Sequence, residues 1–272
     1  MASPLPSNDF HAHTTSDLYS LWASTYDTDG NILQAVDDQQ LLHLLPVLIN
    51  HIQTNSTSSS QTPPSPIRLL DLGCGTGRNT LKLLQQPWPF PVAIEGWDSS
   101  SEMLAIAREK CNAATINNIP TTTQTPTLKF TQTDLTSLPP SAQNLYAAIV
   151  STLVLEHIPL PLYFTALASL LAPGGLALVT NMHPDMGATT QAGFKDGATG
   201  RRLKGTSFSH GVAESVKAAE EAGLRLLEDV REVAVSEEML RGFGVGVREG
   251  AGKWVGRRVW FGMVLGKGKG LE

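Results

Sequence analysis

The stretch Arg68–Thr80, RLLDLGCGTGRNT, constrains this chain more than any other. Its first part, Ile67 and Leu69 to Leu72 broken by Asp71, has the apolar, β-favouring character of a short buried strand. Gly73, Gly75 and Gly77 follow in alternation, and TLKLLQQ continues as a helix. Glycine at that spacing lets the backbone turn tightly and lets a ligand approach where a Cβ would clash. The turn therefore predicts a bulky ligand at the point where a strand becomes a helix.

The chain repeats the strand-and-helix alternation downstream. PVAIEGW reads as a strand ending at Asp98, SSEMLAIAREKC as a helix with Ser100 or Ser101 at its cap, and LKFTQ as a strand leading to Asp134. YAAIVS, YFTALASLLA, the turn PGG and LALVTN continue the series, followed by the helix GVAESVKAAEEAG and the strands RLLEDVREVAV and RRVWFGMVLGK. Elements alternating at these lengths imply a doubly wound, mostly parallel α/β sheet. DLYSLWASTYDTDGNIL and DDQQLLHLLPVLINHI give two helical patterns ahead of it. The uncharged, aperiodic TNSTSSSQTPPSP reads as a low-complexity loop, and glycine-rich SEEMLRGFGVGVREGAGKWVG reads as a mobile loop. The expected organisation is a helical lid at 1–53, a loose loop at 54–66, and a ligand-binding core at 67–272 with a lid insertion at 182–210.

Several function classes are excluded on composition. Cys74 and Cys111 form neither a disulfide framework nor a CxxC pair, which fits a reducing compartment. The start MASPLPSNDF lacks the features of a targeting segment, so a cytoplasmic location is expected. The long apolar run from Tyr146 to Val179 is interrupted by Glu156, His157, Pro159, Pro161 and Pro173, so no membrane span is expected. Net charge is −5, and Lys253, Arg257, Arg258, Lys267 and Lys269 are too few and too diluted by glycine to form a nucleic-acid surface.

These segments together resemble the class I S-adenosylmethionine-dependent methyltransferases. DLGCGTG is similar to that family's first motif, GWDSSSEML to its second strand with a ribose-binding acid, and TDL at Thr133–Leu135 to its adenine-side acid. VLEHI and LAPGGLALVT are similar to the segments after the fourth strand and into the fifth. All five occur in order between Leu69 and Thr180, and the likeness is to small-molecule enzymes of the quinone-biosynthesis type. The resemblance implies a seven-stranded Rossmann-like sheet with an antiparallel final strand, and S-adenosyl-L-methionine as cofactor. It places Gly73, Gly75 and Gly77 along the amino-acid part of the cofactor, with Asp71 supporting the loop or facing the ammonium. A carboxylate at the end of a second parallel strand can accept from both ribose hydroxyls, the role expected of Asp98; Glu95, its rival, lies inside the strand. Asp134 would accept from the adenine amine while Leu135 covers the ring. Ser99 stands where the family usually has a bulky apolar residue.

Methyl transfer from a sulfonium depends mainly on positioning, and a base is needed only where the acceptor must lose a proton. The candidate bases are His157, after the fourth strand, and His183, with Asp185 two residues on. The insertion at 182–210 and the aromatic series Tyr19, Trp22 and Tyr26 are the expected covers of the acceptor pocket, with Tyr26 near the cofactor. The segment after the fourth strand has neither a Pro-Pro motif, nor a cysteine, nor an acidic cluster. This leaves a metal-independent methyltransferase acting on an oxygen, nitrogen or carbon of a small molecule. Two alternatives stay open: a methyltransferase fold that binds the cofactor without transferring methyl, as a pericyclase or regulatory module, and a nicotinamide-dependent oxidoreductase. The second fits less well, because Arg78 follows Gly77 where the GxGxxG fingerprint needs different spacing.

Overall fold

A computed structural model describes residues 12–57, 66–118, 126–138, 140–197, 199–205 and 207–269. Its strands are β1 (Ala12–His13), β2 (Ile67–Leu72), β3 (Val92–Asp98), β4 (Thr127–Gln132), β5 (Tyr146–Thr152), β6 (Leu171–Met182), β7 (Gly193–Lys195), β8 (Arg202–Gly205), β9 (Leu224–Leu226), β10 (Arg231–Ala234) and β11 (Arg258–Lys267). Its helices are α1 (Thr15–Trp22), α2 (Ile32–Thr57), α3 (Arg78–Leu84), α4 (Ser101–Asn118), α5 (Leu160–Leu170), α6 (Pro184–Gly187), α7 (Val212–Glu221), α8 (Glu237–Gly242) and α9 (Val245–Ala251).

The main sheet runs β4-β3-β2-β5-β6-β11-β10. The first five strands are parallel, and β11 returns antiparallel beside β6. This is the Rossmann-like, mostly parallel architecture with an antiparallel final strand expected from the sequence. The order reverses at β2, so the crevice beyond the carboxyl ends of β2, β3 and β5 is where such sheets bind ligands. RLLEDVREVAV is not one strand. It is split into β9, facing Leu265–Lys267, and β10, facing Arg231's partner Gly262 and on to Arg258, so two short pieces share one edge position against β11.

The central strands are apolar on both faces because helices cover both. Along β11 the period of two is explicit: Trp260 and Val264 join the layer holding α2, α3 and Trp254, while Phe261, Met263 and Leu265 join the layer holding α5 and α7. Helix α2 packs its Val36, Leu41, Leu44, Leu45, Leu48 and Ile52 into the first layer and runs through Pro46. It continues to Thr57, so the start of the expected loop at 54–66 is helical; residues 58–65 lie outside the described residues. Among the described residues no helix is long and apolar enough to cross a membrane.

Two segments carry more structure than the sequence pattern suggested. Within 182–210, β7 and β8 form a hairpin, and β1 joins it in parallel as a small second sheet. The glycine-rich 236–256 is not a loose loop: it folds as α8, α9 and a turn of 3-10 helix at Gly252–Trp254. Ser236 caps α8 through the Met239 N–H, and Met239, Leu240, Phe243 and Val247 pack on the core beneath the glycines.

Candidate functional site

Strand β2 ends at Leu72 and the chain turns through three left-handed glycines, with φ of 71° at Gly73, 53° at Gly75 and 79° at Gly77. The surroundings separate their roles. A Cβ on Gly73 would lie 2.3 Å from Val154 Cγ2, and one on Gly77 would lie 3.0 Å from Ala107 Cβ and 3.4 Å from Cys111 Sγ. These two glycines let the loop close on the chain after β5 and let α3 pack against α4. Around Gly75 nothing lies within 4 Å of such a Cβ. Gly75 is thus the member of the trio that leaves room for a ligand.

Asp98, at the end of β3, completes this corner. Its two carboxylate oxygens accept from the Gly75 N–H at 2.8 Å and the Ser100 N–H at 2.9 Å. Burial raises its pKa, and those hydrogen bonds work against the rise. Ser100 in turn caps α4 through the Met103 N–H. Asp71 lies beneath the loop rather than in it. It is fully buried, accepts from Thr80 Oγ1 at 2.5 Å, and burial pushes its pKa up to about 6. Asp134 follows β4 and caps a short 3-10 turn through the Thr136 N–H and hydroxyl, both 2.8 Å from Oδ1. Leu135 is buried among Leu70, Leu72 and Trp97. Trp97 belongs to the core, and Glu95 is held inside the sheet by Arg68 and by the Tyr146 hydroxyl at 2.9 Å. Arg78 is spent on fold: it pairs with Asp37 at 2.6 Å and Asp38 at 2.7 Å on α2.

Helix α1 lies across this corner, with Ser16 Oγ 3.3 Å from the Ser99 carbonyl and Ser20 Oγ 3.0 Å from Ser100 Oγ. It ends at Trp22, so Tyr26 stands in the following turn rather than on the helix. Tyr19, Trp22 and Tyr26 still cluster, with ring centroids 5.1–5.8 Å apart, and Trp22 stacks on Phe194 of the hairpin at 5.2 Å. Burial raises the Tyr26 pKa, and the nearby Arg78, Glu156 and Asp98 charges act on it. Tyr26 lines, with Tyr19 and Trp22, a cavity of about 790 Å³. That cavity is walled by Tyr19–Leu33, by Met182–Lys204 and by 250–257, the third wall being one that the sequence reading missed.

Leu153 and Glu156 also line the cavity. Leu153 has φ 58°, a left-handed conformation that costs a branched residue of the order of 1–2 kcal/mol. The bend there carries Val154 onto Gly73 and turns Glu156 inward. The Glu156 backbone is fixed from two sides, its N–H donating to Asn181 Oδ1 at 3.0 Å and its carbonyl accepting from Phe208 at 2.7 Å. The side chain is 4% exposed, Oε2 has no hydrogen-bond partner, and burial pushes the pKa up to about 8. Sequence reasoning noted Glu156 only as an isolated acid; its buried, unpartnered oxygen is visible in the structure alone.

Neither candidate histidine lines the cavity. His157 Nε2 is 2.8 Å from the Tyr19 hydroxyl and 3.5 Å from Glu156 Oε1, placing it behind both. His183 is 2% exposed, its Nε2 lies 2.6 Å from Glu232, and its Nδ1 accepts from the Asp185 N–H that opens α6. Arg258 joins Asp185 and Glu232 at 2.9 and 3.0 Å, closing that network on itself. Among the described residues no group of three or more His, Cys, Asp and Glu is placed to hold a metal ion.

Comparisons with known proteins agree with this geometry. A family model described as a methyltransferase domain matches residues 48–228. An uncharacterized methyltransferase of Emericella nidulans is 41% identical over 263 residues, covering 92% of this chain and 89% of that protein. A trans-aconitate 2-methyltransferase of Mycolicibacterium gilvum is 46% identical over 54 residues, 20% of each chain. Among solved structures, the magnesium protoporphyrin IX methyltransferase of Synechocystis, with bound S-adenosylhomocysteine, aligns with a TM-score of 0.53 at 17% identity over 93% of this chain and 94% of that one. The cyclase SpnF aligns with a TM-score of 0.58 at 18% identity over 96% and 99%, a likeness of fold alone. With the family model and a full-length relative both pointing one way, the chain belongs to the class I S-adenosylmethionine-dependent methyltransferases.

Proposed function

We propose that the acceptor occupies the cavity between α1, the β7–β8 hairpin and residues 250–257, and that Glu156 takes its proton. The observation that carries this reading is the unpartnered Oε2 of a buried carboxyl lining a cavity next to the cofactor corner. S-adenosylmethionine supplies an electrophilic methyl group. The free space at Gly75 and the carboxylate of Asp98 fit its amino-acid and ribose parts, with Asp134 and Leu135 toward the adenine and Tyr26 between cofactor and acceptor. Gly73, Gly77 and Asp71 shape that corner without needing to touch the ligand. Aromatic faces at Tyr19, Trp22 and Tyr26 suit a cation and exclude water, which favours a reaction that depends on holding two partners in line.

Glu156 acts at the acceptor heteroatom: its ionised carboxylate accepts the O–H or N–H proton as the lone pair becomes the nucleophile. His157 and Tyr19 are positioning residues behind it, and His183 serves the fold by capping α6. Asp29, the other carboxyl in the cavity wall, is engaged by Trp22 and Asn31, so Glu156 has no second free carboxylate beside it for a metal, which supports a reaction without one. A cavity of about 790 Å³ supports a small molecule rather than nucleic acid, and the two free cysteines, Cys74 and Cys111, support a cytoplasmic setting.

His157, Tyr19 and Tyr26 face Glu156, and a hydrogen bond from the Met182 backbone works against the rise in its pKa. With its pKa near 8, Glu156 is mostly protonated at pH 7, so turnover should rise with pH and level off above about 8. Glu156→Gln should lower turnover about 100-fold or more and flatten the profile, with S-adenosylhomocysteine binding unchanged. Turnover in Glu156→Gln equal to wild type would contradict the assignment.

A further inference from the structure

The remaining charge in the cavity wall is positive. Lys195, Arg202 and Lys204 reach it from the β7–β8 hairpin, and Lys253 and Arg257 from the chain after α9. These five are a quarter of the 20 Lys and Arg in a chain whose net charge is −5. The carboxyls in the same wall are Glu156 and Asp29. Asp29 is already engaged, accepting from Trp22 Nε1 at 2.8 Å and the Asn31 N–H at 3.0 Å.

The hairpin itself carries an unrelieved repulsion. Lys195 and Arg202 are direct cross-strand partners, an arrangement in which like charges destabilise a strand pair. Among the described residues neither of them, nor Lys253 or Arg257, is in an ion pair. Single exposed cations are weak binders in water, but a concave wall of one sign focuses the field and raises the local concentration of a counter-charged ligand. The guanidinium forks of Arg202 and Arg257 suit paired oxygens of a carboxylate or phosphate.

We propose that the methyl acceptor is an acid, its carboxylate or phosphate groups held by Lys195, Arg202, Lys204, Lys253 and Arg257 while its nucleophilic atom lies at Glu156. The inference rests on the cavity being the acceptor site. It explains why a chain of net negative charge gathers cations on two segments far apart in sequence. It also gives the hairpin a purpose beyond cover: binding an acid relieves the Lys195–Arg202 repulsion and draws the lid together.

The test titrates citrate, pyrophosphate and the neutral polyol xylitol into the full-length protein, with and without S-adenosylhomocysteine, for wild type and for Lys195→Ala/Arg202→Ala. The expected result is anion binding that weakens with added salt and falls tenfold or more in the double variant, while affinity for S-adenosylhomocysteine is kept. Citrate binding more tightly identifies the carboxylate, and pyrophosphate binding more tightly identifies the phosphate. Neither anion binding better than xylitol, or both binding the double variant as well as wild type, would overturn the inference. Glu156→Gln turnover decides the proton acceptor independently, since it does not depend on the titration.

Discussion

At the scale of single residues, three glycines of one motif have different physical work to do, and substitution separates them. Gly75→Ala meets no neighbour, so it should cost about 1 kcal/mol of stability from the left-handed backbone alone, yet weaken S-adenosylhomocysteine binding tenfold or more. Gly77→Ala presses on Ala107 and Cys111 and should lower the melting temperature more than Gly75→Ala does. Calorimetry and thermal unfolding on the two variants check this, and the reverse order would show that the open space at Gly75 is not the ligand's. Glu156 gives a second residue-scale prediction. Its folded pKa of about 8 lies above the ordinary carboxylate value of 4.5, so the folded state keeps a proton that the unfolded state loses. Its favourable contribution is complete below the unfolded value and is lost as pH rises through about 8. Glu156→Gln, which cannot ionise, should therefore gain stability relative to wild type between pH 6 and pH 9. A melting-temperature difference that stays flat across that range would mean the carboxyl is not held neutral.

At the scale of elements, the site depends on α2 although α2 contributes little chemistry. Asp37 on that helix is fully buried and accepts from Arg78 at 2.6 Å, from Thr180 Oγ1 at 2.6 Å and from Trp260 Nε1 at 2.9 Å. One carboxylate thereby joins α2, the start of α3, β6 and β11, and holds the helix that begins directly after the glycine loop. Asp37→Ala leaves the largely buried Arg78 with Asp38 alone and takes the acceptor from the buried Thr180 hydroxyl and Trp260 N–H, so urea unfolding should show a loss of about 3 kcal/mol. A loss under 1 kcal/mol would place the anchoring of α3 elsewhere. The covers are built differently. Helix α1 touches Ser99 and Ser100, just after Asp98, through Ser16 and Ser20 and meets the hairpin through Trp22 on Phe194.

At the scale of the whole molecule, the sheet and the glycine turn at its switch point were legible because local pattern specifies them. Strand periodicity, the glycine turn and the acids after β3 and β4 lie within a few residues of the structures they form. The cavity was less legible because it is assembled from distant pieces. Glu156 acquires its character from the Leu153 bend, Asn181 and Phe208, none of which marks it in sequence. The third cavity wall was hidden because glycines in 236–256 outweighed an apolar spacing at Met239, Leu240, Phe243 and Val247 that packs α8 and α9 down. His183 looked poised because Asp185 is two residues away, whereas its stronger partner, Glu232, comes from another strand. The proposed reaction carries a methyl group from a cofactor held at Gly75 and Asp98 to a small molecule in the adjoining cavity. Its most direct test is to incubate methyl-labelled S-adenosylmethionine and a pool of small-molecule metabolites at pH 8 with wild type and with Asp98→Ala, and to follow the label. The expected result is a labelled low-mass product with wild type that is lost with Asp98→Ala. Label remaining on the cofactor with wild type, while S-adenosylhomocysteine binds, would contradict it.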